Sequence, residues 1–194
     1  MKQLSDKIKL HLGCGEKYLP GYIHIEQDDF PHVKYRTSVT NLNMFKNDSV
    51  DEIYNCGVFT YFDRSHAPSV LKEWNRVLKP AGKLYISIPD FEGIVEAYIK
   101  SDKDIESRGI LGPIFGRWEI KGYDGNKKTI YQKTCYDFKS LEKMLESCGF
   151  GSIKKYDPHN FLPESYDDYS KAYVPHMDKN GIPISLNLEC KKNV

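Results

Sequence analysis

The run KLHLGCGEKYLPGYIHIE, residues 9–26, ends one apolar–polar alternation in two glycines around a cysteine and ends the next in a glutamate. Gly13, Cys14 and Gly15 leave main-chain amides with little side chain over them, so a ligand can approach the backbone closely. Glu26 follows Gly15 by eleven positions, and a carboxylate at that strand end can accept hydrogen bonds from both hydroxyls of a ribose. Loop and acid together suit a nucleoside. A dinucleotide is disfavoured: Tyr18 stands where a G-x-G-x-x-G pattern needs its third glycine, and Pro20-Gly21 imply a short loop where pyrophosphate would need a helix N-terminus. His11, His24, His32, His66, His159 and His176 are scattered and form no zinc spacing, so no metal site is expected.

Elements must place these residues. Residues 8–12 and 22–26 alternate as strands, a third strand is expected within 33–39, and a buried strand runs into a loop over 49–59. Val70, Leu71, Trp74, Val77 and Leu78 form one helical stripe, which Pro80 and Gly82 stop. A strand at 83–89 ends at Pro89 and Asp90, and FEGIVEAYIK reads as a short helix. Residues 101–135 show little periodicity and read as a long, lid-like or hairpin-like excursion. A second amphipathic helix turns Phe138, Leu141, Met144, Leu145 and Cys148 inward, with Asp137 as its N-cap and Gly149 as its left-handed terminator. A strand near 152–157, an irregular segment over about 158–182, and a last strand at 183–191 complete the chain. This alternation predicts an α/β fold with a mostly parallel sheet, the last strand running antiparallel.

The 194 residues suit a single domain, 1–194, with a real core. A net charge of +1 and scattered lysine pairs give no footprint for nucleic acid. Five cysteines, an odd number without CxxC spacing, point to reduced thiols and a cytoplasmic setting. The N-terminus lacks a signal-peptide core, and no stretch reaches membrane-spanning length, so no membrane insertion is expected. Monomer and homodimer both stay open.

Four pieces in order, KLHLGCGEKYLPGYIHIE, NDSVDEIYNCGVFTYF, VLKEWNRVLKPAGKLYISIPD and FKSLEKMLESCGF, with the ISLNLECKK tail, resemble the class I S-adenosylmethionine-dependent methyltransferases. The likeness is to a compact bacterial group found with glycan and lipopolysaccharide genes, and it covers nearly the whole chain. It implies a Rossmann-like seven-stranded sheet with an antiparallel last strand and helices on both faces. It also implies S-adenosylmethionine lying over Leu12, Gly13, Cys14 and Gly15, with its ribose on Glu26 and Gln27 among its binding residues. Asn41 and Leu42 would flank the adenine, and Asn55, Cys56 and Gly57 would face the methionine end. Two positions depart from the family pattern: Ser38 stands where an adenine-binding Asp is common, and Phe59-Thr60-Tyr61 replaces Leu-Glu-His.

Methyl transfer needs a nucleophile aligned opposite the sulfonium, and a hydroxyl acceptor gains from a nearby base. No catalytic residue is fixed by the sequence. Tyr61 takes the place of the family's histidine, His66 precedes a helix, and Asp90 ends the fifth strand at the correct edge. Trp118, Tyr123 and Tyr131, aromatics in a glycine-rich stretch, are the expected acceptor contacts. The implied activity is O-methylation of a small molecule or glycan precursor. The departures at 38 and 59–61 leave a second reading, a catalytically degenerate cofactor-binding module.

Overall fold

A computed structural model describes residues 7–107, 109–121, 126–175 and 178–194. The strands are β1 (Lys9–Leu12), β2 (Ile23–Glu26), β3 (Tyr35–Arg36), β4 (Val50–Cys56) and β5 (Leu78–Pro89), with helix α1 (Ala67–Val77) before β5. Then come α2 (Phe91–Lys100), α3 (Leu111–Phe115), the hairpin β6 (Trp118–Lys121) and β7 (Lys127–Ile130), α4 (Phe138–Ser147) and β8 (Phe150–Lys155). The chain closes with α5 (Pro158–Phe161), the short pair β9 (Tyr173–Val174) and β10 (Ile182–Pro183), and β11 (Ser185–Lys192).

The main sheet has seven strands in the order β3-β2-β1-β4-β5-β11-β8. Its neighbours pair in parallel except β11, which runs antiparallel to both β5 and β8. Strand order reverses between β1 and β4, so their carboxyl ends open the crevice where such sheets take ligands. Helix α1 buries Val70, Leu71, Trp74 and Val77 as its spacing predicts, and the indole of Trp74 donates to Val39 O at 2.8 Å. Asp137 and Ser140 form a capping box at the start of α4, and Gly149 takes φ +87° after it.

Two differences from the sequence expectation have physical causes. Strand β5 starts at Leu78, not at residue 83, because Leu78 pairs with Val50 before residues 79–82 loop out and pairing resumes at Glu52–Lys83. The irregular segment over 158–182 contains α5, a 3-10 turn at Tyr169–Lys171 and the β9–β10 pair, all too short for a periodic signal.

The two sheet faces differ in kind. Leu10, Leu12, Ile53, Leu84, Ile86 and Leu188 point to one side and pack under α1 and α4. The opposite side carries a cross-strand row of His24, His11, Tyr54, Tyr85 and Glu189. Among the described residues no helix links β1 to β2, so loop residue Leu19 and the later Leu162 and Tyr166 close this face over Tyr54 and Tyr85.

Candidate functional site

The first strand end is built as an open hook. Gly13 takes φ +66° and its N–H donates to Ile25 O at 2.8 Å, tying the loop to β2. Gly13 is glycine for an internal reason as well: a Cβ there would sit 2.2 Å from Val58 Cγ2. Gly15 is different. It takes φ +53°, and a Cβ on it would meet nothing within 4 Å, so its backbone borders open space. Gly57, after β4, repeats this with φ +71° and an equally open Cβ position, while its N–H donates to Ser87 O at 2.9 Å.

Glu26 ends β2 beside that hook. Its Oε2 accepts the Gly15 N–H at 2.9 Å, and its Oε1 accepts the Gln27 N–H at 2.6 Å. Oε1 also accepts the Asp28 N–H at 3.4 Å, so the carboxylate orders the loop and keeps acceptor capacity on Oε2. Asn55, at the end of β4 and fully buried, donates from Nδ2 to Leu12 O at 2.9 Å, while its Oδ1 has no partner among the described residues. A buried carbonyl oxygen without a donor is costly, and this one is at the carboxyl edge of the sheet.

Burial keeps the thiols here protonated. Burial, then the Glu26 carboxylate, pushes Cys14 up to about 12, and its Sγ lies 3.6 Å from His32 Nε2. Burial, then Asp168, holds the Cys56 thiol well above its ordinary value. Among the described residues no group of three or more His, Cys, Asp or Glu could hold a metal ion.

Asn41 is exposed, whereas Leu42 lies in the apolar core with its N–H on Glu73 Oε1 at 2.8 Å and its carbonyl on Arg76. Ser38 folds back on Thr40, accepting that residue's N–H at 3.2 Å. The hydroxyl of Tyr61 donates to Gly116 O, and burial raises its pKa. Thr60, beside it, is fully buried, and its hydroxyl has no partner among the described residues. His66 sits exposed at the N-cap position of α1, with its ring edge-on to Phe62. Asp90 caps α2 through the Glu92 N–H at 3.1 Å. It is 8% exposed, and burial raises its carboxyl against the pull of Lys155. With Tyr156, Ser170, Tyr173, Ser185 and Asn187 it lines a cleft of about 240 Å³ at the carboxyl edge of β5. Trp118 and Tyr131 are on and just after the β6–β7 hairpin, 55% and 52% exposed, and Tyr123 lies outside the described residues.

One residue escaped the sequence reading. Asp168 reaches from the C-terminal segment to the end of β4, where its carboxylate accepts the Tyr54 hydroxyl at 2.6 Å and the Ser170 N–H at 2.9 Å. Its only signal was an acidic pair amid tyrosines in YDDYSKAY.

A family model described as a methyltransferase domain matches residues 20–86, from just after the glycine hook into β5. No curated protein matches the chain. Among solved structures, it is similar to a putative S-adenosylmethionine-dependent methyltransferase from Listeria monocytogenes, at 15% identity and TM-score 0.54, covering 97% of this chain and 91% of that one. An S-adenosylmethionine-dependent methyltransferase from Mesorhizobium loti gives 11% identity and TM-score 0.55, with 99% and 94% coverage. The 1,6-didemethyltoxoflavin-N1-methyltransferase of Burkholderia thailandensis, solved with its substrate and S-adenosylhomocysteine, gives 11%, TM-score 0.53, and 96% and 71% coverage. The chain has the Rossmann-like methyltransferase fold, over nearly all of its length and with the strand order described above.

Proposed function

We propose that this protein is an S-adenosylmethionine-dependent methyltransferase acting in the cytoplasm on a hydroxyl of a small molecule or glycan precursor. The observation that carries the reading is the pairing of Gly15, whose backbone faces open space, with the Glu26 carboxylate that accepts its N–H. The residues fit an adenosyl group: Glu26 keeps acceptor capacity on Oε2 for a ribose hydroxyl, and the orphaned Asn55 Oδ1 offers an acceptor toward the methionine end. When bound, the cofactor supplies an electrophilic methyl carbon.

The chain's own part is alignment and proton removal. Gly57 and Asn55 border the methyl-bearing end, and Gly57 is hydrogen-bonded to Ser87 of β5, three residues before Asp90. Asp90 is therefore the base we favour for an acceptor hydroxyl, since burial raises its basicity and a cleft opens beside it. Tyr61 serves instead as a tie, because its hydroxyl is committed to Gly116. The oxygen acceptor and the glycan association rest on the sequence resemblance, and five free cysteines suit a reducing compartment.

Thermal melting tests the reading. S-Adenosylmethionine or S-adenosylhomocysteine at a hundredfold excess over its Kd should add about 2.7 kcal/mol, a rise of roughly 5–10 °C for a domain of this size. NAD should add nothing. Folded protein that responds to neither adenosyl ligand would reject the proposal.

A further inference from the structure

The β6–β7 hairpin stands with both feet on the loop after β4. Gly116 accepts the Tyr61 hydroxyl, and the Lys133 N–H donates to Thr60 O at 2.8 Å. Its far end reaches the loop after β2, where the Lys121 N–H donates to the Asp28 carboxylate at 2.6 Å, two residues past Glu26. In the sheet β1 lies between β2 and β4, so a ribbon fixed at those two loops must cross the carboxyl end of β1. That end is Gly13–Gly15. Two inter-strand steps amount to about 10 Å, and a four-residue strand reaches about 13 Å, so the span is well matched.

Pairing sets which face looks down. Trp118 opposes Ile130 and Ile120 opposes Lys128, while Glu119 opposes Thr129 and Lys121 opposes Lys127. Side chains alternate between faces, so Trp118, Ile120, Lys128 and Ile130 share one side. On that side Ile120 and Ile130 are half-buried and Lys128 is exposed, whereas Glu119, Lys121, Lys127 and Thr129 on the other are all exposed, so the isoleucines mark the side turned toward the body of the protein. On that inner side Trp118 nevertheless remains 55% exposed.

We propose that this hairpin is the roof of the cofactor crevice, with Trp118, Ile120 and Ile130 lying on the adenosyl group and the Asp28–Lys121 contact holding the roof down. The inference rests on the adenosyl reading and moves Trp118 from acceptor contact to cofactor contact. It also gives Asp28 a binding role, as the fastening between the ribose-side loop and the roof.

The chain has two tryptophans, and Trp74 is fully buried, so Trp118 is the indole that a ligand can newly cover. S-Adenosylhomocysteine is titrated by calorimetry while indole emission is recorded. Saturation should move the emission to shorter wavelength in the wild type and leave Trp118→Phe, which reports Trp74 alone, unchanged. Asp28→Ala should release bound S-adenosylhomocysteine about tenfold faster, as loss of one hydrogen bond to a charged group implies. Calorimetric binding with unmoved emission and an unchanged release rate in Asp28→Ala would overturn the roof and leave the adenosyl reading standing. Folded protein that gives no binding heat would overturn both.

Discussion

Acid should destabilise this fold well above the range where carboxylates titrate, and the cause is the histidine row on the second sheet face. His11 and His24 oppose one another on β1 and β2, both 2% exposed, with ring centroids 5.4 Å apart. Tyr54 and Tyr166 face His11, while Tyr18 and His32 face His24. Burial, then the neighbouring imidazoles His24 and His32, lowers His11 to about 3. Burial, then His32, lowers His24 to about 4. Each ring binds its proton less readily in the folded chain than in the unfolded one, where the pKa is about 6.5. The stabilisation is thus complete above pH 6.5 and falls as pH drops toward the folded values. At pH 5 an unfolded imidazole is mostly protonated while folded His11 stays neutral, a difference of about 2 kcal/mol. His24 contributes less, because its ring is covered by the exposed Tyr18 and is partly screened. Asp51, Glu73 and Asp137 have carboxyls held below their ordinary range, so their losses come at lower pH. Urea unfolding at pH 7.5 and pH 5 should therefore show a drop of about 3 kcal/mol in the wild type. In His11→Phe the drop should shrink by about 2 kcal/mol. Equal drops in the two proteins would refute the reasoning.

Two further substitutions separate packing from function. Gly13→Ala should cost roughly 2–4 kcal/mol in urea unfolding, combining left-handed strain with the clash on Val58. Gly15→Ala should cost only about 1 kcal/mol of stability yet weaken S-adenosylhomocysteine binding, since its new methyl enters the crevice and touches no protein atom. Asp137→Ala removes the capping box of α4, and a loss of about 1 kcal/mol should lower the melting temperature by roughly 2–4 °C without affecting ligand affinity.

Local signals carried much of the fold. The alternation of KLHLGCG and YIHIE located β1 and β2, and the stripe from Val70 to Val77 located the buried face of α1. Asp137 and Gly149 marked the ends of α4 because capping chemistry is local. What stayed hidden depends on register between distant strands. His11 and His24 meet only because β1 and β2 pair in parallel, and Val58 explains Gly13 only once the β4 loop lies over it. Asp168 joins Tyr54 across more than a hundred residues, from a segment without periodicity. The outlook of the hairpin was equally invisible, since it follows from Lys121 reaching Asp28 and not from any pattern within residues 101–135.

The central claim is that Glu26 holds the sugar of an adenosyl ligand beside the bare backbone of Gly15. Calorimetric titration of S-adenosylhomocysteine into the wild type and Glu26→Ala tests it most directly. Loss of hydrogen bonds to a charged group, about 1.5–3 kcal/mol, predicts affinity at least tenfold weaker in the variant. An analogue lacking both ribose hydroxyls should bind the two proteins alike. Equal affinity of wild type and variant for S-adenosylhomocysteine would contradict the account.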